Sequence, residues 1–184
     1  MKNDTSIEQH PAPHRFRIIP AVLLIMYLYL LTRIILFKGN PIDPGVIQSQ
    51  LMLWLQHPEV IHTRTVNLTP FREITRGWNR LSLHPTGTSL QLIGNIVAFV
   101  PLGMLIPLLL HSRLSSGILV VFCSLLLSLS YEVTQLLTGI GIFDVDDLLL
   151  NTFGGVCGYI LFAIPAFIAK SLFQTKKRNP IIRS

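Results

Sequence analysis

Four stretches of this 184-residue chain stay apolar long enough to cross a bilayer: residues 18–37, 90–110, 117–137 and 148–169. Each holds about the 20 residues that a helix needs to span the hydrocarbon layer. The first is interrupted only by Pro20, Thr32 and Arg33, and no small-x-small cleavage site follows Leu31, so it reads as an uncleaved anchor. Between the first two spans, Gly39, Pro41, Pro44 and Gly45 break the helix. The apolar run 46–56 is too short to cross, which predicts an interfacial or re-entrant segment. In 71–81, Phe71, Ile74, Trp78 and Leu81 follow helical spacing while Arg72, Arg76 and Arg80 take other faces. That pattern predicts an amphipathic surface helix with a basic side. The fold class is therefore all-α and polytopic, with about four transmembrane helices and short interfacial segments in the first outer loop. Residues 1–17 and 170–184 are polar and basic tails flanking a membrane domain over 18–169.

Composition supports the membrane reading. Half of the residues are hydrophobic and 13% are charged, against about 25% in soluble domains. The net charge of +6 lies in loops and tails, where anionic lipid heads account for it without nucleic acid. The side holding both termini carries Lys2, Arg15, Arg17, Arg113, Lys170, Lys176, Lys177, Arg178 and Arg183, against Lys38, Arg64, Arg72, Arg76 and Arg80 opposite. Nine bases against five predict cytoplasmic termini. Cys123 and Cys157 stand inside apolar runs with no Cys/His pattern, so they read as small packing residues, and neither a metal nor a cofactor is expected.

The polar residues within the spans fall in one layer. Counting the rise per residue puts Asn95 and Glu132 roughly 7 Å, Arg33 roughly 6 Å and Asn151 roughly 5 Å from the end opposite the termini, with Gln135 on the face of Glu132. A carboxylate inside a bilayer is costly and marks a site, a pathway or a paired contact. Arg33, at matching depth, is its expected partner, although snorkelling to the interface explains Arg33 alone. Hydrogen-bonded helix packing is the bland account of the whole layer. Asp144, Asp146 and Asp147 open the last span, where they would cap its N–H groups or hold a hard cation. Gly154 and Gly158 form a GxxxG that lets another helix approach closely.

Four stretches resemble the VanZ-like family of bacterial membrane proteins: Asn67-Leu-Thr-Pro-Phe71, Asn95-Ile-Val-Ala-Phe-Val-Pro-Leu-Gly103, Glu132-Val-Thr-Gln135, and Phe143-Asp-Val-Asp-Asp-Leu-Leu-Leu-Asn-Thr-Phe-Gly-Gly155 with Gly158. Many members carry an Arg just before the last segment, where this chain has Gly139-Ile-Gly141-Ile142. The resemblance implies membrane location and a cell-envelope role, in a family named for a protein linked to teicoplanin resistance. It brings no established reaction. The expectation is a non-enzymatic envelope protein that binds or masks an anionic lipid-linked envelope component or a lipoglycopeptide antibiotic. Its partners would be that ligand and membrane lipids; the oligomeric state stays open. The candidate ligand-binding residues are Arg33, Asn67, Arg72, Arg76, Asn95, Glu132, Gln135, Asp144, Asp146, Asp147 and Asn151. The alternative is an intramembrane enzyme acting on a lipid-linked substrate, with Glu132 as general acid or base.

Overall fold

The structure, a computed structural model, describes residues 15–37, 43–81, 87–110 and 113–178. Four long helices match the four apolar runs: α1 (Arg15–Phe37), α4 (Gly87–Leu109), α5 (Arg113–Thr138) and α6 (Val145–Arg178). Each contains a stretch of 20 or more residues long and apolar enough to cross a membrane. Between α1 and α4 lie α2 (Pro44–Gln56), a 3-10 turn at Pro58–Thr63, a two-residue strand β1 (Val66–Asn67) and α3 (Arg72–Leu81). A second short strand, β2 (Phe143–Asp144), precedes α6 and pairs in parallel with β1, setting Val66 opposite Phe143 and Asn67 opposite Asp144. The protein is an all-α polytopic membrane protein in which the only strands among the described residues are these two dipeptides.

α4 and α6 lie closest, and glycine makes this possible. A Cβ at Gly154 would strike the carbonyl of Ile96, one at Gly158 the carbonyl of Val100, and one at Gly103 the carbonyl of Gly155. Backbone therefore meets backbone along the expected GxxxG face, without bulky side chains between. Around this seam a core of Leu31, Phe99, Leu102, Ile106, Val120 and Tyr131 joins α1, α4 and α5. Tyr27 donates to the carbonyl of Ala98 at 2.7 Å, and the hydroxyls of Thr32 and Tyr131 meet at 2.9 Å, tying α1 to its neighbours. The outer faces stay apolar and exposed, at Ile25, Val97, Ile118 and Leu161 among others, as lipid-facing surfaces do.

α3 takes the opposite way round from a helix lying on a protein core. Among the residues of α3 whose burial is described, Gly77 is the buried one, pressed on Leu92 of α4. Phe71 and Trp78 are more than half exposed, and the side bearing Arg72 and Arg76 turns over a cavity at the bundle end. For a helix lying at a bilayer surface, apolar residues toward lipid and bases over the protein is the arrangement that leaves neither group unsolvated. The side chain of Arg80, third in the basic row, lies outside the described residues, as do the tails 1–14 and 179–184.

Candidate functional site

The site begins with the strand pair, because it carries residue 67 to residue 144 across 77 positions of sequence. Asn67 donates its amide to Asp144 Oδ1 at 2.8 Å, while its own Oδ1 accepts the N–H of Thr69 at 3.3 Å and turns the chain toward α3. The turn ends at Phe71 with φ +65, a left-handed conformation that costs a phenylalanine on the order of 1–3 kcal/mol. What holds it is Asp146. Its Oδ1 accepts the Phe71 N–H at 2.5 Å, and its Oδ2 accepts those of Glu73 at 2.7 Å and Ile74 at 3.2 Å. Asp146 is fully buried, and its charge is met by the N-terminal N–H groups of α3. The sequence pattern expects all three aspartates at the start of α6. Instead Asp144 caps α6, accepting the Asp146 N–H at 2.9 Å, while Asp146 caps a different helix.

Below this corner the polar layer of the spans is wired helix to helix. Glu132 of α5 accepts the N–H of Asp144 on Oε2 at 2.7 Å. Asn95 of α4 donates to Asp147 Oδ1 of α6 at 2.6 Å. Asn151 donates to Ser128 Oγ at 2.8 Å, and Gln135 donates to the carbonyl of Ile35 at 3.1 Å. The expected Glu132–Arg33 pair is not found among the described residues, whose ion pairs include Arg76–Glu73 and His57–Glu59. A turn N–H approaches the buried glutamate, because the loop before α6 folds directly over the end of α5.

A cavity of about 870 Å³ opens above this layer. Seven of the eleven candidates line it: Asn67, Arg72, Arg76, Asn95, Gln135, Asp144 and Asp147. Glu132, Asp146 and Asn151 are buried behind that wall, and Arg33 does not reach it. Three further polar residues contribute that the pattern did not single out, Thr65, Glu73 and Gln91. Gln91 had a signal, since it stands one helical turn before Asn95 on the same face. Arg64, counted in the sequence only as a loop base, donates to Gln50 at 2.6 Å and lays its guanidinium against Gly139. Gly139 has φ +64, so both its conformation and its missing side chain are used there.

Burial raises the Asp144 carboxyl above its ordinary 3.8, and the neighbouring charges of Asp146 and Glu73 add to the rise, against the lowering by the Asp146 N–H and the Asn67 amide. The three aspartates diverge into separate contacts, and among the described residues no three His, Cys, Asp or Glu side chains converge as metal ligands would. What the cavity offers is a set of charged and amide groups beside apolar Ile34, Leu92 and Ile142, which is the make-up of a pocket for a polar head on an apolar anchor.

The fold and site together define a class: polytopic α-helical membrane proteins with a polar cavity at one end of a four-helix bundle. Within that class the family model VanZ/LLP1 matches residues 23–168, nearly the whole membrane domain. Protein VanZ of Enterococcus faecium is 30% identical over 149 residues, 80% of this chain and 76% of that protein. The chain belongs to the VanZ/LLP1 family. No solved structure matches it.

Proposed function

We propose that this chain is a cell-envelope protein of the bacterial membrane that binds the head group of an amphiphile without turning it over. Lipid-linked envelope components and lipoglycopeptides are the expected ligand class. The observation that carries the reading is the placement of Arg72 and Arg76 on the lining of a cavity whose remaining wall includes Ile34, Leu92 and Ile142. Guanidiniums hold a phosphate or carboxylate with directed hydrogen bonds, and apolar residues beside them accept the start of a chain. The enzymatic alternative placed Glu132 as acid or base; that carboxylate sits one hydrogen bond behind the cavity, on the N–H of Asp144. With the termini in the cytoplasm, the cavity faces outward, where envelope precursors and antibiotics meet the membrane.

The test is a titration of the purified protein in detergent with a short-chain polyprenyl phosphate, followed by mass analysis of the recovered lipid. Saturable one-to-one binding of unchanged lipid, weakened in Arg72→Gln and in Gly94→Phe, is expected. Gly94 lines the cavity with open space where a Cβ would stand, so an aromatic ring there narrows it. Conversion of the lipid to a product would replace binding with catalysis.

A further inference from the structure

Two amides on the cavity wall are each half used. Asn95 of α4 and Gln135 of α5 line the space and are buried, 7% and 5% exposed. Each spends its N–H within the protein: Asn95 donates to Asp147 Oδ1 at 2.6 Å, and Gln135 to the carbonyl of Ile35 at 3.1 Å. A carboxylate and a carbonyl can only accept, so these contacts also fix which end of each amide is oxygen. No hydrogen bond to either amide oxygen is found among the described residues. The unpartnered side-chain oxygens shut off from solvent are, among the described residues, those of Ser124, Asn151 and Thr152. Those of Asn95 and Gln135 therefore open on the space that their residues line. One helical turn before Asn95, Gln91 brings a third amide to the same wall, exposed and without a hydrogen bond among the described residues. Beside Asn95 the wall is bare at Gly94, where nothing lies within 4 Å of an added Cβ.

A ligand that expels water from the two oxygens without replacing its hydrogen bonds loses affinity. The group that fits must donate to two neutral acceptors and must exchange hydrogen bonds with Gln91. Hydroxyls do both, since each donates one hydrogen bond and accepts others. Building on the amphiphile-binding reading, we infer that the head group is polyhydroxylated: a sugar or other polyol, carried beside the anion that Arg72 receives, with hydroxyls on Asn95 Oδ1, Gln135 Oε1 and the Gln91 amide. A space of about 870 Å³ admits a hexose. Glycosylated lipid phosphates and sugar-bearing lipopeptides present the same hydroxyls next to an apolar chain.

The test measures dissociation constants of the full chain in a neutral detergent by native mass spectrometry, with ligands of matched chain length. Prenyl phosphodiesters of equal charge form the first set, esterified to a hexose, to the O-methylated hexose or to methyl alone. Acylated peptides with and without a hexose form the second. The hexosyl diester should bind roughly tenfold tighter than the methyl diester, the scale of one or two neutral hydrogen bonds. O-methylation keeps the ring, removes its donors and should abolish the gain. Whichever scaffold gains more from its hexose identifies the source of the sugar. Gln91→Met should shrink the gain and leave the methyl diester unaffected. Gln135→Met should shrink it too, but drops the bond to Ile35, so its thermal midpoint is read alongside; the Gln91 variant removes no hydrogen bond of the fold. Arg72→Gln should weaken the hexosyl and methyl diesters alike and preserve their ratio. Equal binding of those two diesters, or a gain that survives O-methylation or Gln91→Met, overturns the polyol inference and keeps the amphiphile site. A peptide lacking hexose that binds as tightly as the hexosyl diester also overturns it, and assigns the amide oxygens to peptide N–H groups. Absence of saturable binding in every arm removes the amphiphile-binding reading itself.

Discussion

Replacing Asp146 by Asn tests the connection on which the cavity's basic wall depends. The carboxylate receives three backbone N–H groups, one on Oδ1 and two on Oδ2, in a fully buried place. An asparagine supplies one acceptor oxygen and one amide that donates. In its better orientation the oxygen keeps the N–H groups of Glu73 and Ile74, and the amide then confronts the N–H of Phe71. One charge-assisted bond, about 1.5–3 kcal/mol, is lost outright. The bonds that survive lose their charge at the N-terminus of α3, about another 0.3–1 kcal/mol. A local cost of about 2–4 kcal/mol follows, and it falls on α3 because the glycine seam between α4 and α6 is not touched. Opening of α3 should become roughly 30- to 1000-fold more frequent. Hydrogen exchange read by mass spectrometry over residues 71–81 should show that loss of protection, with α4 to α6 unchanged. Binding of an anionic amphiphile should weaken in parallel, although Arg72 and Arg76 are intact. Unchanged protection of 71–81 in a folded Asp146→Asn protein would mean that α3 is held by Gly77 and the strand pair alone, and the reasoning would fail.

Gly158→Ala, which drives a Cβ into the carbonyl of Val100, should lower the thermal midpoint by the equivalent of about 1–3 kcal/mol, whereas Gly94→Ala, with open space around it, should leave it unchanged or raise it slightly. Glu132→Gln keeps an acceptor for the Asp144 N–H and should fold normally, while Glu132→Leu orphans that N–H and should cost about 1–3 kcal/mol in detergent unfolding. Because burial raises the Asp144 carboxyl above 3.8, with Glu73, Asp146 and Glu132 near it, the folded protein protonates it first as pH falls; the stability gained by that proton is present at low pH and lost as pH rises through the raised value. In a background lacking Cys123 and Cys157, a cysteine at position 180 should resist labelling from outside intact cells and one at 48 should react; the reverse would turn the cavity to the cytoplasm.

The spans were legible because lipid imposes a simple requirement, namely that about 20 residues in a row be apolar with their backbone satisfied internally. The helices exceed the apolar runs by a few residues at their ends, where polar residues continue the helix outside hydrocarbon, as α6 does from 169 to 178. The depth of the polar layer was legible for the same reason, since Asn95, Glu132, Gln135 and Asn151 stand alone in apolar sequence. Partnership was not. The contacts that pattern alone did not show join residues from 12 to 100 apart in sequence, and they depend on how the turns at 67–73 and 139–144 lie over the bundle. One clue lay in the sequence: α3 is preceded by Phe71, which has no side-chain acceptor to serve as an N-cap, so its first N–H groups needed an acceptor from elsewhere.

That clue changes where function should be sought. A carboxylate inside a membrane helix invites a functional reading because an uncompensated charge there is untenable. Glu132 and Asp146 are compensated, at least in part, by backbone N–H groups of the Asp144 and Phe71 turns, and such a contact serves the fold whether or not a ligand ever arrives. Asp144 and Asp147 are different. Amides of Asn67 and Asn95 position them, and both line the cavity with Arg72. Activity lost through Glu132 or Asp146 would follow loss of structure; activity lost through Asp144 or Asp147 would point to the cavity that they line.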